Sequence, residues 1–315
     1  MNLPELKIGN LTAHIPIIQG GMAVRVSTAS LAAAVANEGG IGVIGASGMG
    51  LDELRDQIRK AKQLSKGIIG VNIMVALSNF IKMVKVSIEE KIDLVIAGAG
   101  FSKDLFHLGK DSNTPVVPIV SSLRLAKIAE NLGASAIVVE GKEAGGHLGT
   151  DISIKELIPG IVKEIKIPVI AAGGIINGKD VAEMFHMGVD GVQMATRFLA
   201  SKECEVSEKF KDMYLNARKE DVIIIRSPVG LPGRAIRNKF ADKLMCGTVP
   251  PPVDCDNCLK HCSGEYCILH ALDNSRRGLV DDGVVFCGEY VYKIKEILSV
   301  KEIIKQIVDE VNISN

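Results

Sequence analysis

Over its first two hundred residues the chain alternates short runs of aliphatic and β-branched residues with longer stretches in which apolar positions recur at helical spacing. The apolar runs predict strands over 16–19, 42–44, 68–73, 94–97, 116–120, 136–139, 169–172 and 191–194. Between them, helices are predicted over 28–37, 51–64, 79–90, 103–109, 123–132, 154–165 and 179–187. Several of these stop at glycine, as at Gly39-Gly40, Gly133 and Gly188, where a left-handed terminal residue closes a helix without a Cβ clash.

Strand and helix in strict alternation predict an α/β fold with a parallel sheet, because parallel neighbours need a long return connection. Eight such units in about 200 residues predict a TIM (β/α)8 barrel, whose ligand loops lie at the strand C-termini. A doubly wound open sheet is the alternative; against it, no Gly-x-Gly-x-x-Gly follows the first strand. Past about residue 220 the rhythm breaks. Residues 222–225 read as one further strand and 234–245 as a helix, Pro250-Pro251-Pro252 interrupts regular structure, 284–286 form a short apolar run, and 299–311 form an amphipathic helix. The predicted division is therefore a barrel of residues 1–220 and a small C-terminal cysteine-containing cap of residues 221–315 that includes the last helix.

Composition narrows the functional classes. Lys plus Arg equals Asp plus Glu at 37 each, so no global basic field attracts nucleic acid or an anionic membrane, and neither is an expected partner. The opening Met1-Asn2-Leu3-Pro4-Glu5-Leu6-Lys7 lacks a basic region followed by an apolar core, and no stretch is apolar for the length a membrane span needs. A soluble, cytoplasmic protein is expected. With 32 glycines, 4% aromatic residues and no Trp, the composition suits tight turns around an Ile, Val, Leu and Ala core.

Chemistry concentrates after the predicted strands. Glu140-Gly-Lys-Glu-Ala-Gly-Gly-His147-Leu-Gly149 places one imidazole among glycines just after an apolar run, so backbone and ring can approach a ligand closely. His147 is the catalytic candidate; its bland alternative is a loop histidine that bonds backbone. Ala171-Ala-Gly-Gly-Ile175 and Gln193-Met-Ala-Thr-Arg-Phe198 occupy the positions where many barrels hold a phosphate, with exposed amides, a following helix dipole and the Thr196 hydroxyl as donors. A phosphorylated cofactor is expected there.

Pro16-Ile-Ile-Gln-Gly-Gly-Met-Ala23, Gly70-Val-Asn-Ile-Met74, the 140–149 segment and the two loops just named together resemble the nitronate monooxygenase (2-nitropropane dioxygenase) superfamily, which includes flavin-dependent enoyl-acyl carrier protein reductases of the FabK type. The motifs run in the family's order through roughly three quarters of the chain. The resemblance implies an FMN-containing oxidoreductase. Gly21 and Met22 are expected along the flavin ring, with Asn72 and Gln193 on its polar groups. Ala172, Gly173, Gly174, Ala195 and Thr196 are expected around the phosphate, and His147 in the place of the family's catalytic histidine. In the reductase branch NAD(P)H reduces FMN and hydride passes from flavin N5 to an unsaturated thioester, with acyl carrier protein as a candidate carrier; in the other branch an alkyl nitronate meets oxygen. Gln19-Gly-Gly-Met22, Glu140-Gly141, His147-Leu-Gly149 and Gly233-Arg-Ala-Ile-Arg-Asn238 are closer to the reductases. A homodimer is a candidate assembly. Readings of other kinds are a non-catalytic flavin or metal electron carrier and a phosphate-ligand lyase or isomerase without flavin.

One feature departs from both branches. Five of the seven cysteines fall between Cys246 and Cys267, four of them as Cys255-x2-Cys258-x3-Cys262-x4-Cys267. Thiolates at these separations can converge on an iron–sulfur cluster or on zinc, and reduced structural cysteines are the alternative.

Overall fold

The computed structural model describes residues 3–98 and 100–313. Eight parallel strands form a closed ring: β1 (Ile17–Gln19), β2 (Ile41–Gly45), β3 (Ile68–Met74), β4 (Leu94–Gly98), β5 (Val116–Val120), β6 (Ile137–Glu140), β7 (Val169–Ala172) and β8 (Gly191–Met194). They pair in sequence order, and β8 closes on β1 through Val192↔Ile17 and Met194↔Gln19. The expected TIM barrel is therefore the fold. Helices α1 (Ala29–Asn37), α2 (Leu51–Leu64), α3 (Phe80–Glu89), α4 (Lys103–Ser112), α5 (Leu123–Asn131), α6 (Ile154–Glu164) and α7 (Gly178–His186) make the seven crossovers. Gly39, Gly133 and Gly188 all have positive φ, as helix-ending glycines require.

Period-two alternation divides the strand residues between two cores. Ile18, Val43, Ile96, Val117, Val138 and Ile170 pack in the barrel interior, while Ile17, Ile44, Val95, Val116, Val139 and Val192 meet the helices. A hairpin too short to show a period precedes β1: Leu6–Ile8 pairs antiparallel with Leu11–Ala13. Its Leu6, Ile8 and Ala13 join the interior cluster, and a Cβ on Gly191, the first residue of β8, would stand 3.0 Å from Leu6 Cδ2. The hairpin plugs the barrel at the strand N-termini.

After β8 the chain forms a single turn, α8 (Thr196–Leu199), then α9 (Glu208–Asn216), and enters the cap. The cap contains β9 (Val222–Ile225), β10 (Gly233–Ile236), α10 (Lys239–Met245) and α11 (Ile268–Arg276). The helix expected over 234–245 is thus a strand followed by a shorter helix. Asn238 starts that helix by accepting a hydrogen bond from the Ala241 N–H at 2.8 Å, an N-cap that fixes where α10 begins. The last helix, α12 (Val300–Ile313), lies against α7 and α1 and fills the eighth helix position of the barrel, apart from the cap to which the sequence pattern had joined it. The Glu310 carboxylate accepts from the Gly178 N–H at 2.7 Å, tying α12 to the start of α7.

Contact between α1 and β2 is close enough to demand glycine at one point. A Cβ on Gly42 would stand 1.8 Å from the Ala32 carbonyl oxygen, whereas one on Gly160, in the middle of α6, meets nothing within 4 Å. Gly42→Ala is predicted to destabilise the fold by about 1–3 kcal/mol or more, since α1 must lift away. Gly160→Ala is predicted to be neutral or to stabilise by up to about 1 kcal/mol. Urea denaturation of both variants checks the pair, and equal midpoints would refute the packing account.

Candidate active site

The alternation that builds the core also sets one layer of side chains on the inner face of the rim. Asn72 follows Gly70 by two residues, Glu140 follows Val138, Ala172 follows Ile170 and Gln193 follows Gly191, so each stands on an inward-facing position one step nearer the strand C-terminus. With Gly21 and Met22 from the loop after β1, they surround a cavity of about 440 Å³, a size typical of small-molecule and cofactor sites. His147, Gly173, Gly174, Ala195 and Thr196 line the same cavity. All ten candidate residues of the barrel are thereby brought together.

Several local features suit a polar, flat ligand. A Cβ on Gly21 would stand 2.3 Å from Asn72 Cβ, so the close approach of the loop after β1 to the end of β3 depends on glycine at 21. Gly173 and Gly174 have φ of 104° and 73°, a region that glycine enters without strain. The Oε1 atom of Gln193 is buried and has no hydrogen-bond partner within the protein, an arrangement that is costly unless a ligand or solvent donor completes it. Thr196 Oγ1 accepts from the Gly288 N–H at 3.0 Å, leaving its O–H to donate.

The first amides of α7 are engaged within the chain. Asn177 caps α7 by accepting from the Asp180 N–H at 2.9 Å, and the Asp180 carboxylate accepts from Ile176 N–H at 3.0 Å and Asn177 N–H at 3.3 Å. These amides are satisfied within the chain and are not free for a phosphate.

His147 is held by more than a loop. Gly146–His147 forms a two-residue strand that pairs with β10 through Gly233↔His147 and Arg234↔Gly146. From the same strand the buried Arg234 guanidinium donates to the carbonyls of Lys142 and, at 2.8 Å, Ala144, and it pairs with the Glu289 carboxylate at 3.3 Å. These partners offset the cost of burying the cation. Glu143 serves the same loop: its carboxylate accepts from the Ser153 O–H at 2.6 Å and the Ile154 N–H at 3.0 Å.

The imidazole Nε2 of His147 lies 2.7 Å from Ser227 Oγ, and the Phe286 ring stands edge-on at 5.1 Å between centroids. Burial pushes the His147 pKa down to about 4, because charging the ring away from water is unfavourable. Glu140 moves the other way. Its carboxyl is half-buried, its open side faces the cavity, and desolvation pushes its pKa up to about 8. At neutral pH the histidine is uncharged and the glutamic acid holds its proton. Two carboxyl and imidazole groups driven apart in this way are a usual mark of acid–base assignments.

Sequence reasoning did not single out Glu140, Ser227 or Arg234 as working residues. For Glu140 a signal existed, since a carboxylate on an inward strand position at the rim must face the cavity; Ser227 and Arg234 come from a remote segment and carry no local signal.

The cysteine loop lies beside the mouth. Cys255 and Cys262 are exposed and Cys258 and Cys267 half-buried. The Cys258 thiol is shifted up by burial and by neighbouring Cys267, Cys262 and Cys255. Among the described residues no group of three or more His, Cys, Asp or Glu side chains is arranged to hold a metal ion. Leu259, Ile268 and Leu272 from the same part of the cap line the cavity.

Comparison with known proteins agrees with this geometry. A probable nitronate monooxygenase of Staphylococcus aureus is 32% identical, over 74% of this chain and 78% of the relative. FabK from Thermotoga maritima is 35% identical with a TM-score of 0.88, covering 96% of this chain and 94% of that one. A nitroalkane oxidase from Streptomyces ansochromogenes shares the fold with a TM-score of 0.82 at 20% identity, over 96% of this chain and 97% of that one. The family model described as nitronate monooxygenase matches residues 5–82 and 76–310. This chain therefore belongs to the nitronate monooxygenase family.

Proposed function

We propose that this chain is an FMN-dependent oxidoreductase that uses NAD(P)H to reduce the carbon–carbon double bond of an enoyl thioester. The observation that carries this reading is that the Glu140 carboxyl and the His147 imidazole line one cavity, where burial pushes the carboxyl pKa up and the imidazole pKa down. Reduction of an activated double bond consumes one hydride and one proton, so a proton source beside the substrate is required. The likeness to FabK over nearly the whole of both chains supports the same branch.

The residues present fit FMN. The unpartnered Gln193 Oε1 is an acceptor for a ring N–H, Asn72 adds an amide beside Gly21, and Met22 offers an apolar contact. Gly173, Gly174 and Ala172 supply a small-residue wall, and Ala195 and Thr196 a backbone and hydroxyl site for the phosphate. When bound, FMN supplies two-electron chemistry, accepting hydride from the nicotinamide and giving it to the β-carbon of the acceptor.

The protein groups do the rest. His147, uncharged and oriented by Ser227, positions the thioester carbonyl oxygen, and the Glu140 carboxyl holds the proton destined for the α-carbon. The apolar walls from Leu259, Ile268 and Leu272 exclude water and suit an acyl chain, which acyl carrier protein could present. A dimer is compatible with this chemistry but is not required by it.

Nitronate oxidation is the second reading, favoured by the likeness to the probable nitronate monooxygenase of Staphylococcus aureus. Stopped-flow reduction of the purified flavoprotein under anaerobic conditions, with NADH and NADPH in parallel, followed by an enoyl thioester or by a nitronate with oxygen, separates the two. Heat-released cofactor is expected to co-elute with FMN. FAD alone, or no flavin after reconstitution, would overturn the proposal.

Two variants test the residue roles. His147→Ala is predicted to retain FMN while slowing turnover by about 10²-fold or more; near-wild-type rates with every active substrate would remove His147 from the mechanism. For Glu140, kcat/KM should stay level through neutral pH and fall as pH rises past about 8, because the proton-holding form is lost there. Glu140→Gln should lower the rate by about 10²-fold or more and abolish that alkaline limb. An unchanged limb in the variant would assign the titration to another group.

A further inference from the structure

We propose that Val24 is a specificity-determining residue: a strained turn after β1 drives its isopropyl group into the cavity wall beneath the cap, where it admits a straight acyl chain and turns away a branched one. The class of ligand rests on the enoyl thioester reading above; the turn itself does not. Val24 and Arg25 are consecutive and have φ of 52° and 60°. In that left-handed region the Cβ of an L-residue crowds the following carbonyl oxygen, and a β-branched residue there is an outlier. The other described non-glycine residues with positive φ, Lys91, Asn113 and Asn257, stand singly and none is β-branched. Strain of this kind persists only where the surroundings over-determine it.

Here they do. The Met22 N–H donates to Ser27 Oγ at 2.7 Å, and the Ser27 hydroxyl and N–H both donate back to the Met22 carbonyl at 3.1 Å, which closes the turn. Inside it the Val24 N–H donates to the Ser47 carbonyl at 2.8 Å. Arg25 then anchors the turn to the start of α2: its Nε and Nη2 donate to the two Glu53 carboxylate oxygens at 2.5 and 2.7 Å. A bidentate pair of that kind fixes direction as well as distance.

Core packing does not account for the strain. Val24 is only 2% exposed, yet it joins none of the hydrophobic clusters of the core and instead lines the cavity. A side chain that lines a cavity with so little surface open stands where the space is narrow. Its Cγ2 lies 3.1 Å, and Leu269 Cδ2 3.6 Å, from the point a Cβ on Gly48 would occupy. Leu269, from α11, is also a cavity residue outside the core clusters. The loops after β1 and β2 and the cap helix therefore meet at Val24. Returning its φ to the ordinary negative range would redirect the Cα–Cβ bond and withdraw the isopropyl group from that point.

The test uses the full-length flavoprotein, with rates expressed per bound flavin. The ratio of kcat/KM is measured between a straight-chain enoyl thioester and homologues carrying a methyl branch at successive carbons beyond the double bond. Wild type is expected to favour the straight chain over at least one branched homologue by about 10-fold or more, the discrimination one methyl group commands in an apolar pocket. Val24→Gly should narrow that ratio by about 10-fold. Arg25→Ala keeps the valine but frees the turn, and should narrow the ratio in the same direction; Arg25→Lys, which cannot pair through two parallel bonds, should fall between. No preference in wild type, or an unchanged ratio in Val24→Gly, would overturn the proposal. Strain is read separately from urea midpoints. Val24→Gly should hold the wild-type midpoint or exceed it, because glycine enters the left-handed region freely, whereas Val26→Gly, the same truncation outside that region, should lower it. Equal losses in the two would remove the strained turn from the account. If wild type reduces no enoyl thioester, the reaction assignment fails on its own, and the same ratio is read with straight and branched alkyl nitronates.

Discussion

Because all eight strands run the same way and the ring closes from Met194 back to Gln19, every strand delivers its last inward residue to one end of the barrel. That hydrogen-bonded closure is the constraint on which the rest depends. It leaves no sheet edge to protect and makes the rim a convergence point for residues far apart in sequence. Asn72, Glu140, Ala172 and Gln193 meet because each occupies the same phase of a two-residue period, and Gly21 is glycine because Asn72 occupies the space a side chain would need.

Once the rim encloses a cavity, burial becomes the main electrostatic agent. Glu140 and His147 are shifted in opposite directions by the same cause, desolvation of the charged form. No neighbouring ion is required for either shift. The polarity that these two groups and the unfilled Gln193 Oε1 give the cavity wall is that of a proton-bearing carboxyl, an uncharged ring and an amide acceptor, while the Glu143 carboxylate is engaged by Ser153 and Ile154. Charge that is needed elsewhere is neutralised by pairing: the Arg234 guanidinium is surrounded by two carbonyls and Glu289, and it spends its donors on holding the His147 segment.

The barrel was legible in the sequence because its signals are local and repeated. Each apolar run of four or five residues reads as a strand on its own, and the glycine-rich loops after β6 and β7 mark the functional end without any knowledge of pairing. The hairpin over Leu6–Ile8 and Leu11–Ala13 was not legible, since three residues cannot display a period. Within the cap, Arg234 read as helical because its neighbours suit either state; only pairing with Gly146–His147 makes it a strand. Ser227 lies 80 residues from His147, and nothing near either residue announces their contact. Helix α12 was found, but its seat on the barrel depends on α7 and α1, which no pattern within 300–313 encodes.

The short hairpin over residues 6–13 has a mechanical meaning. Leu6, Ile8 and Ala13 fill the base of the barrel together with Ile18, Ile96 and Val138, and none of the three lines the cavity at the rim. The hairpin therefore acts on the site only through the stiffness of the strands: a close-packed base resists deformation and transmits strain, so the spacing of residues at the far end of the ring is held by side chains that never reach a ligand.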